Sequence, residues 1–221
     1  IVIDVASGRI LHAKNENEKM PIASLTKILT CITAIKNCES EKEILIKKEW
    51  TNIEGSSIYL KEGEIYSLKE LLYGLMLRSG NDCAVSIASA YEKGYDEFIK
   101  LMNLTAYSFG AENSSFVNPH GLDNAAHYST AYDLALITKA ALSDDFFSEI
   151  VSSKSATIGR DDYRRTIYNK NKILKNYEYA TGVKTGYTKK AGRCLVTSSD
   201  KNDFKLVSVV LNCGPMYERS K

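Results

Sequence analysis

The sequence predicts a mixed α/β (α+β) fold, with one sheet built from both ends of the chain and a helical segment inserted between them. Three observations point there. β-Branched runs open the chain and return over its last quarter. Between them, apolar residues recur at spacings of three and four. No internal repeat, low-complexity tract or linker interrupts the 221 residues, a length that one large domain can hold.

The elements follow in order. Ile1 to Val5 is short and β-branched, Ala6-Ser7-Gly8 offers a turn, and Arg9 to Ala13 resumes an extended pattern. Together they read as a hairpin. Pro21 closes a polar loop, and a helix begins at Ser24 with Leu25, Ile28, Leu29, Ile32 and Ile35 on one face. A strand is expected at Ile44-Leu45-Ile46. Ser67 with Glu70 spells a capping box, with Leu71, Leu72, Leu75 and Met76 as the apolar stripe behind it. Ser79-Gly80-Asn81 breaks that helix, and another runs from Asp82. Residues 95–109 are helical again, Asn118 to Gly121 form a loop, and Thr130 with Asp133 caps a helix through about Leu142. Thr166 to Tyr168, Ala180 to Lys184, Leu195 to Thr197 and Phe204 to Leu211 are strand-like.

Composition narrows the function. Hydrophobic residues make up 44% and charged residues 25% of the chain, as in globular domains. A net charge of +2 gives no support to a nucleic-acid partner. Five cysteines, Cys31, Cys38, Cys83, Cys194 and Cys213, form no CxxC pair and read as small buried apolar residues. His12, His120 and His127 are scattered, so neither a metal nor a cofactor is expected. No apolar run approaches the ~20 residues of a membrane span.

Three short motifs carry chemistry. Ser24-Leu25-Thr26-Lys27 puts a hydroxyl and an amine three apart at a helix start, on one face about 5–6 Å apart at Cβ. A serine becomes a nucleophile beside a base, and a lysine serves if it is neutral. Read alone, the motif is an N-cap followed by a surface lysine. Ser198-Ser199-Asp200-Lys201 fits the same spacing in what reads as a polar turn, and is taken as chance. Ser79-Gly80-Asn81 is either a plain turn or a second hydroxyl that relays a proton with an amide that holds a substrate carbonyl. Lys184-Thr185-Gly186 supplies a cation, a hydroxyl for a carboxylate, and a glycine that lets a substrate backbone approach. Each motif alone is bland. Their order and context together are not, and the trio is the signature of class A β-lactamases and penicillin-binding proteins.

The chain resembles the serine-type D-alanyl-D-alanine carboxypeptidases, the low-molecular-mass penicillin-binding proteins. Beyond the trio, the likeness covers Pro21 to Lys27, Leu77 to Asp82, Asn118 to Leu122, Ser129 to Leu134 and Gly182 to Tyr187, within a match over nearly the whole chain. The resemblance implies a five-stranded antiparallel sheet flanked by helices. It implies one catalytic domain, 1–221, with a helical subdomain at about 52–150. By the same resemblance Ser24 is the acylated nucleophile, Lys27 its base, Ser79 the proton relay to the departing D-alanine, and Asn81 the substrate-orienting amide. Lys184 completes the electrostatic site. Thr185, Gly186, Tyr187 and Arg219 bind substrate, with the Ser24 and Tyr187 N–H groups as the oxyanion hole. The implied partners are a peptidoglycan stem peptide ending in D-Ala-D-Ala and β-lactams as covalent inhibitors, in an extracytoplasmic setting. Any membrane anchor, or the helix that usually follows the last strand, would lie outside this chain.

Three other functions share these motifs. A class A β-lactamase needs a glutamate in a Glu-x-x-Leu-Asn setting, which the sequence lacks. A β-lactam-sensing domain would acylate without turnover. A cross-bridge endopeptidase would differ only in surfaces that set peptide length.

Overall fold

The computed structural model describes residues 1–221. β1 (Val2–Asp4) and β2 (Ile10–His12) form the opening hairpin, tied by Asp4, whose carboxylate accepts from the Ala6 N–H and the Ser7 hydroxyl. A 3-10 turn at Ala23–Leu25 leads into α1 (Thr26–Asn37). α1 is buried from Thr26 to Ala34. Next come β3 (Glu43–Leu45), β4 (Ile65–Ser67), α2 (Leu68–Leu77), α3 (Asn81–Ser89) and α4 (Tyr95–Ser108), then α5 (Ala131–Ala141) and α6 (Asp145–Ser152). β5 (Ser155–Ile158), β6 (Arg165–Tyr168), α7 (Ile173–Asn176), β7 (Ala180–Thr188), β8 (Gly192–Lys201), β9 (Phe204–Val210) and α8 (Met216–Arg219) complete the chain.

Five strands form one sheet in the order β2-β1-β9-β8-β7, every pair antiparallel. Both termini therefore build it, and β7 is left as an edge. α1 packs against α2, α4 and α5 on its flanks and touches β7 at its start, so the Ser24 turn is pressed against that edge. The capping box of α2 forms in full: Ser67 Oγ accepts the Glu70 N–H while Glu70 accepts the Ser67 N–H. Thr130 accepts the Asp133 N–H at the start of α5. No helix is long and apolar enough to cross a membrane.

Four expectations need correction. The strand at 44–46 runs Glu43–Leu45 and pairs with β4 in a separate two-stranded sheet. Thr166 to Tyr168 likewise lies outside the main sheet, paired with β5. α6 was not anticipated, although Phe147, Ile150 and Val151 keep helical spacing and Asp144 caps it by accepting the Phe147 N–H; it spans the expected subdomain boundary at 150. Ser198 to Lys201 is strand, not turn. β8 continues to Lys201, and the reversal is made by Asn202 and Asp203, both at positive φ, the backbone a tight two-residue hairpin needs. Ser198 is buried against Thr181, while Lys201 lies over the Tyr179 ring. Alternation along a strand sends residues three apart to opposite faces, so this second serine and lysine never meet.

Candidate active site

Ser24 lies in the 3-10 turn, two residues before Thr26, the first residue of α1. The α1 N-cap is Leu25, and no side chain caps it. The bland N-cap reading of Ser24 therefore fails: its hydroxyl faces Lys27 Nζ at 3.0 Å. The turn is held in an uncommon backbone, with Ala23 at φ +48°, and such strain gathers at functional sites.

Lys27 is fully buried. Its Nζ meets three oxygens: Ser24 Oγ at 3.0 Å, Asn81 Oδ1 at 2.7 Å and the His120 carbonyl at 2.6 Å. Two of these are pure acceptors. A neutral amine has two N–H groups and one lone pair, so the Asn81 and His120 oxygens take both hydrogens. The lone pair then faces the Ser24 hydroxyl. Burial pushes the Lys27 pKa well below its ordinary value, and the Lys184 cation pushes it further. Burial is the larger cause.

Asn81 opens α3 and is buried. Its Nδ2 donates to the Glu54 carbonyl, and its backbone N–H donates to Ser56 O at 2.7 Å. Its side-chain carbonyl accepts from Lys27. Asp82 beside it is fully buried and accepts from Ser57 Oγ at 2.5 Å and from the Ile58, Leu60 and Cys83 N–H groups. That carboxylate ties the 57–60 loop to the start of α3. Ser79 sits at φ +63°, 9% exposed.

Lys184 on β7 is 2% exposed and donates to the Thr185 carbonyl at 2.9 Å. Burial, aided by the charge of Lys170, lowers its pKa to about 7. No ion pair neutralises Lys27 or Lys184. Thr185 is half-buried and Tyr187 is exposed. Gly186 also has a packing role within the chain. A Cβ there would lie 3.1 Å from Ile22 O and 3.2 Å from Ser24 N, so glycine lets β7 approach the serine turn itself. Arg219 stands apart. On α8 it lines a small cavity of about 70 Å³ with Val2, Thr197, Ser199 and Ser208, without Lys184 or Thr185.

The sequence left two histidines without a role. Both belong here. The Val117 N–H donates to His127 Nδ1 at 3.1 Å, which places the proton on Nε2. Nε2 then donates to Thr26 Oγ1 at 2.7 Å, and Thr26 donates to Ala23 O at 2.9 Å. This one-way chain ends at the residue before Ser24. Burial holds His127 at a pKa of about 4 and His120 at about 3, so both are neutral near pH 7. Asn118 Oδ1 accepts from the His120 and Gly121 N–H groups and shapes the loop that carries the His120 carbonyl. No sequence signal marks a backbone carbonyl as a ligand. The Asn-Pro-His-Gly stretch marked only that the loop was special. No group of three His, Cys, Asp or Glu side chains is placed to hold a metal ion. The five cysteines are free thiols, and Cys83 packs its Sγ beneath Gly74 and Gly80.

Comparison with known proteins agrees with this geometry. The family model described as D-alanyl-D-alanine carboxypeptidase matches residues 1–214. A relative of that name from Bacillus subtilis (strain 168), DacF, is 33% identical over 226 residues; the match takes in 100% of this chain and 58% of the relative. The chain thus spans little over half the length of that relative. The crystal structure of a D-alanyl-D-alanine carboxypeptidase from Mycobacterium tuberculosis H37Rv superposes with a TM-score of 0.91 at 32% identity, covering 95% of this chain and 80% of that one. The Streptomyces K15 DD-transpeptidase superposes with a TM-score of 0.89 at 30% identity, covering 95% and 87%.

Proposed function

The chain belongs to the D-alanyl-D-alanine carboxypeptidase family, and from that premise we propose that it removes the terminal D-alanine of peptidoglycan stem peptides through an acyl-enzyme on Ser24. One observation carries the assignment: Lys27 is buried with two pure acceptors, so its lone pair is directed at Ser24 Oγ. Lys27 takes the hydroxyl proton as Oγ attacks the scissile carbonyl. As the C–N bond breaks, Ser79 relays that proton from Lys27 to the departing D-alanine nitrogen, which leaves Lys27 neutral. The N–H groups of Ser24 and Tyr187 hold the oxyanion, supported by the contact of Gly186 with the serine turn. Water then attacks the ester, Lys27 accepts its proton, and that proton passes to Ser24 Oγ as the acyl C–O bond breaks. Lys184 and Thr185 receive the substrate's terminal carboxylate. Arg219, on α8, is not needed for this arrangement. Asn81 acts by holding Lys27.

In this reading residues 52–150 form a helical subdomain that brings the Ser79–Asn81 turn to the sheet edge. The protein works outside the cytoplasm, where its substrate is, and β-lactams trap it by acylating Ser24. The test is release of D-alanine from a pentapeptide ending in D-Ala-D-Ala, beside penicillin labelling mapped by mass. Labelling that persists in Ser24→Ala would overturn the nucleophile. The likeness to the Streptomyces DD-transpeptidase favours a second outcome for the same ester, attack by an amine instead of water. Adding a glycine-terminated amine acceptor and measuring transfer against hydrolysis separates the two.

A further inference from the structure

Beyond the Ser79–Asn81 turn lies a groove of about 270 Å³, lined by Ser57, Tyr59, Arg78, Arg165 and Tyr168 among others. We propose that this groove is a subsite for a carboxylate-bearing residue of the stem peptide upstream of D-Ala-D-Ala, with Arg78 as its anion-binding group. The proposal rests on the carboxypeptidase reading above and adds the substrate chemistry which that reading leaves open.

The groove is joined to the catalytic turn by covalent and hydrogen-bonded steps. Arg78 immediately precedes Ser79. Ser57 donates to Asp82, the neighbour of Asn81. The Lys170 N–H donates to Leu77 O, next to Arg78. Its charge is positive. Arg78 is half-buried and pairs with no carboxylate. Arg165 is fixed by donating to Ile58 O at 2.7 Å and to Tyr66 Oη, with Glu64 at 3.4 Å, yet its Nε is buried without a partner. Lys170 continues the positive run toward Lys184.

Its walls are built rather than loose. Tyr59 is 77% exposed and Tyr168 is 65% exposed. Tyr59 is held at φ +60°, a costly backbone for an aromatic residue. Ser57 Oγ accepts its N–H at 2.7 Å, and Arg165 anchors the preceding carbonyl. A strained residue presenting a solvent-facing ring beside a catalytic turn fits a ligand clamp. The volume is just below that of pockets that enclose whole small molecules, so it suits one side chain of an extended peptide. Two aromatic walls and an unpaired guanidinium suit a side chain with an aliphatic stem and a carboxylate end.

The experiment is protection of Ser24 from penicillin labelling by peptides ending in D-Ala-D-Ala that carry glutamate or glutamine as the third or fourth residue from the C-terminus. The wild-type chain should be protected about five- to tenfold better by the glutamate form at one of these positions, the scale of a charged hydrogen bond discounted for solvent. Arg78→Gln should bring the glutamate-to-glutamine ratio close to one. Arg78→Glu should invert it in favour of a lysine-bearing peptide. Each ratio is taken within one folded preparation, so loss of protein does not mimic the effect. No preference in the wild-type chain, or a preference unchanged in Arg78→Gln, would overturn the subsite. D-Alanine release is measured in parallel. Protection without release would sink the carboxypeptidase reading and leave the subsite standing; release without preference would do the reverse.

Discussion

Gly121→Ala should disable the site without touching a reacting group. Gly121 sits at φ +88°, and a Cβ there would lie 1.9 Å from Ala23 O, 2.4 Å from Ala23 C and 2.8 Å from Thr26 Oγ1. Ordinary contact begins near 3.4 Å, so the loop and the serine turn must part by about 1.5 Å. The two nearest obstructing atoms are backbone, so no rotamer relieves the clash. The positive φ adds roughly 1–2 kcal/mol for a residue with a Cβ. With overpacking of 1–3 kcal/mol, the total is about 2–5 kcal/mol, or roughly 5–15 °C in Tm for a chain of this size. The movement separates Ala23 from the loop that carries the His120 carbonyl, so Lys27 and Ser24 lose their register. A misplacement near 1 Å costs about 10²-fold. The assay is the second-order rate of penicillin acylation, measured well below the variant's own Tm and corrected for the folded fraction. Acylation within threefold of wild type, with Tm unchanged, would refute the packing argument.

Four further outcomes follow from the same geometry. Lys27→Arg places a permanent charge there and cannot accept a proton near neutral pH; acylation should fall about 10³-fold or more, and a rate near wild type would require another base. Amidating the C-terminal carboxylate of the peptide should lower kcat/KM by about 2–4 kcal/mol in transition-state terms; equal rates on acid and amide would remove the carboxylate argument for Lys184 and Thr185. Because the Lys184 pKa is lowered from 10.5 to about 7, the unfolded chain binds its proton more readily between those values. Its contribution to stability is then complete above pH 10.5 and lost as pH falls through 7. Lys184→Met should therefore raise Tm at pH 7 while losing acylation, and a lower Tm would contradict it. His127, held at about 4 against 6.5, contributes stability that is lost as pH falls from 6.5 through 4; His127→Gln should flatten that part of a circular-dichroism melting profile, and an unaltered slope would assign the acid loss elsewhere.

The sheet and the motif-bearing helices were legible because their signals are local. The 67–70 capping box, the Thr130 cap and the β-branched runs each act within a few residues, and each forms as read. The order of Ser24, Ser79 and Lys184 along the chain was legible as chemistry for the same reason. What stayed hidden depends on distance in sequence. Lys27 meets His120 O across 93 residues, and His127 meets Thr26 across 101. A carbonyl carries no side-chain signature, and a neutral histidine bonded on both nitrogens reads in sequence like any other. Gly186 was legible as a close-approach glycine, but the approach of the chain's own serine turn was not. The separate pairing of β5 with β6 was hidden because a short β-branched run does not name its partner.

The physical theme of the site is positive charge kept without its counter-ion. Two lysines are buried where a stability-optimised core would hold apolar side chains, and neither has a carboxylate partner. For Lys184 the fall from 10.5 to about 7 corresponds to about 5 kcal/mol disfavouring its charged form. A carboxylate from the protein would remove that cost, but it would also raise the Lys27 pKa and occupy the place of an anionic substrate. Leaving the partner out helps keep the Lys27 pKa low, because the charge of Lys184 is one cause of its fall, after burial. An arriving carboxylate then supplies the missing charge, raising the pKa of Lys184 and keeping it cationic at neutral pH. Lys27, fully buried, is held down chiefly by its burial, which the carboxylate does not change. In the proposed reaction the missing counter-charge is the one the substrate brings.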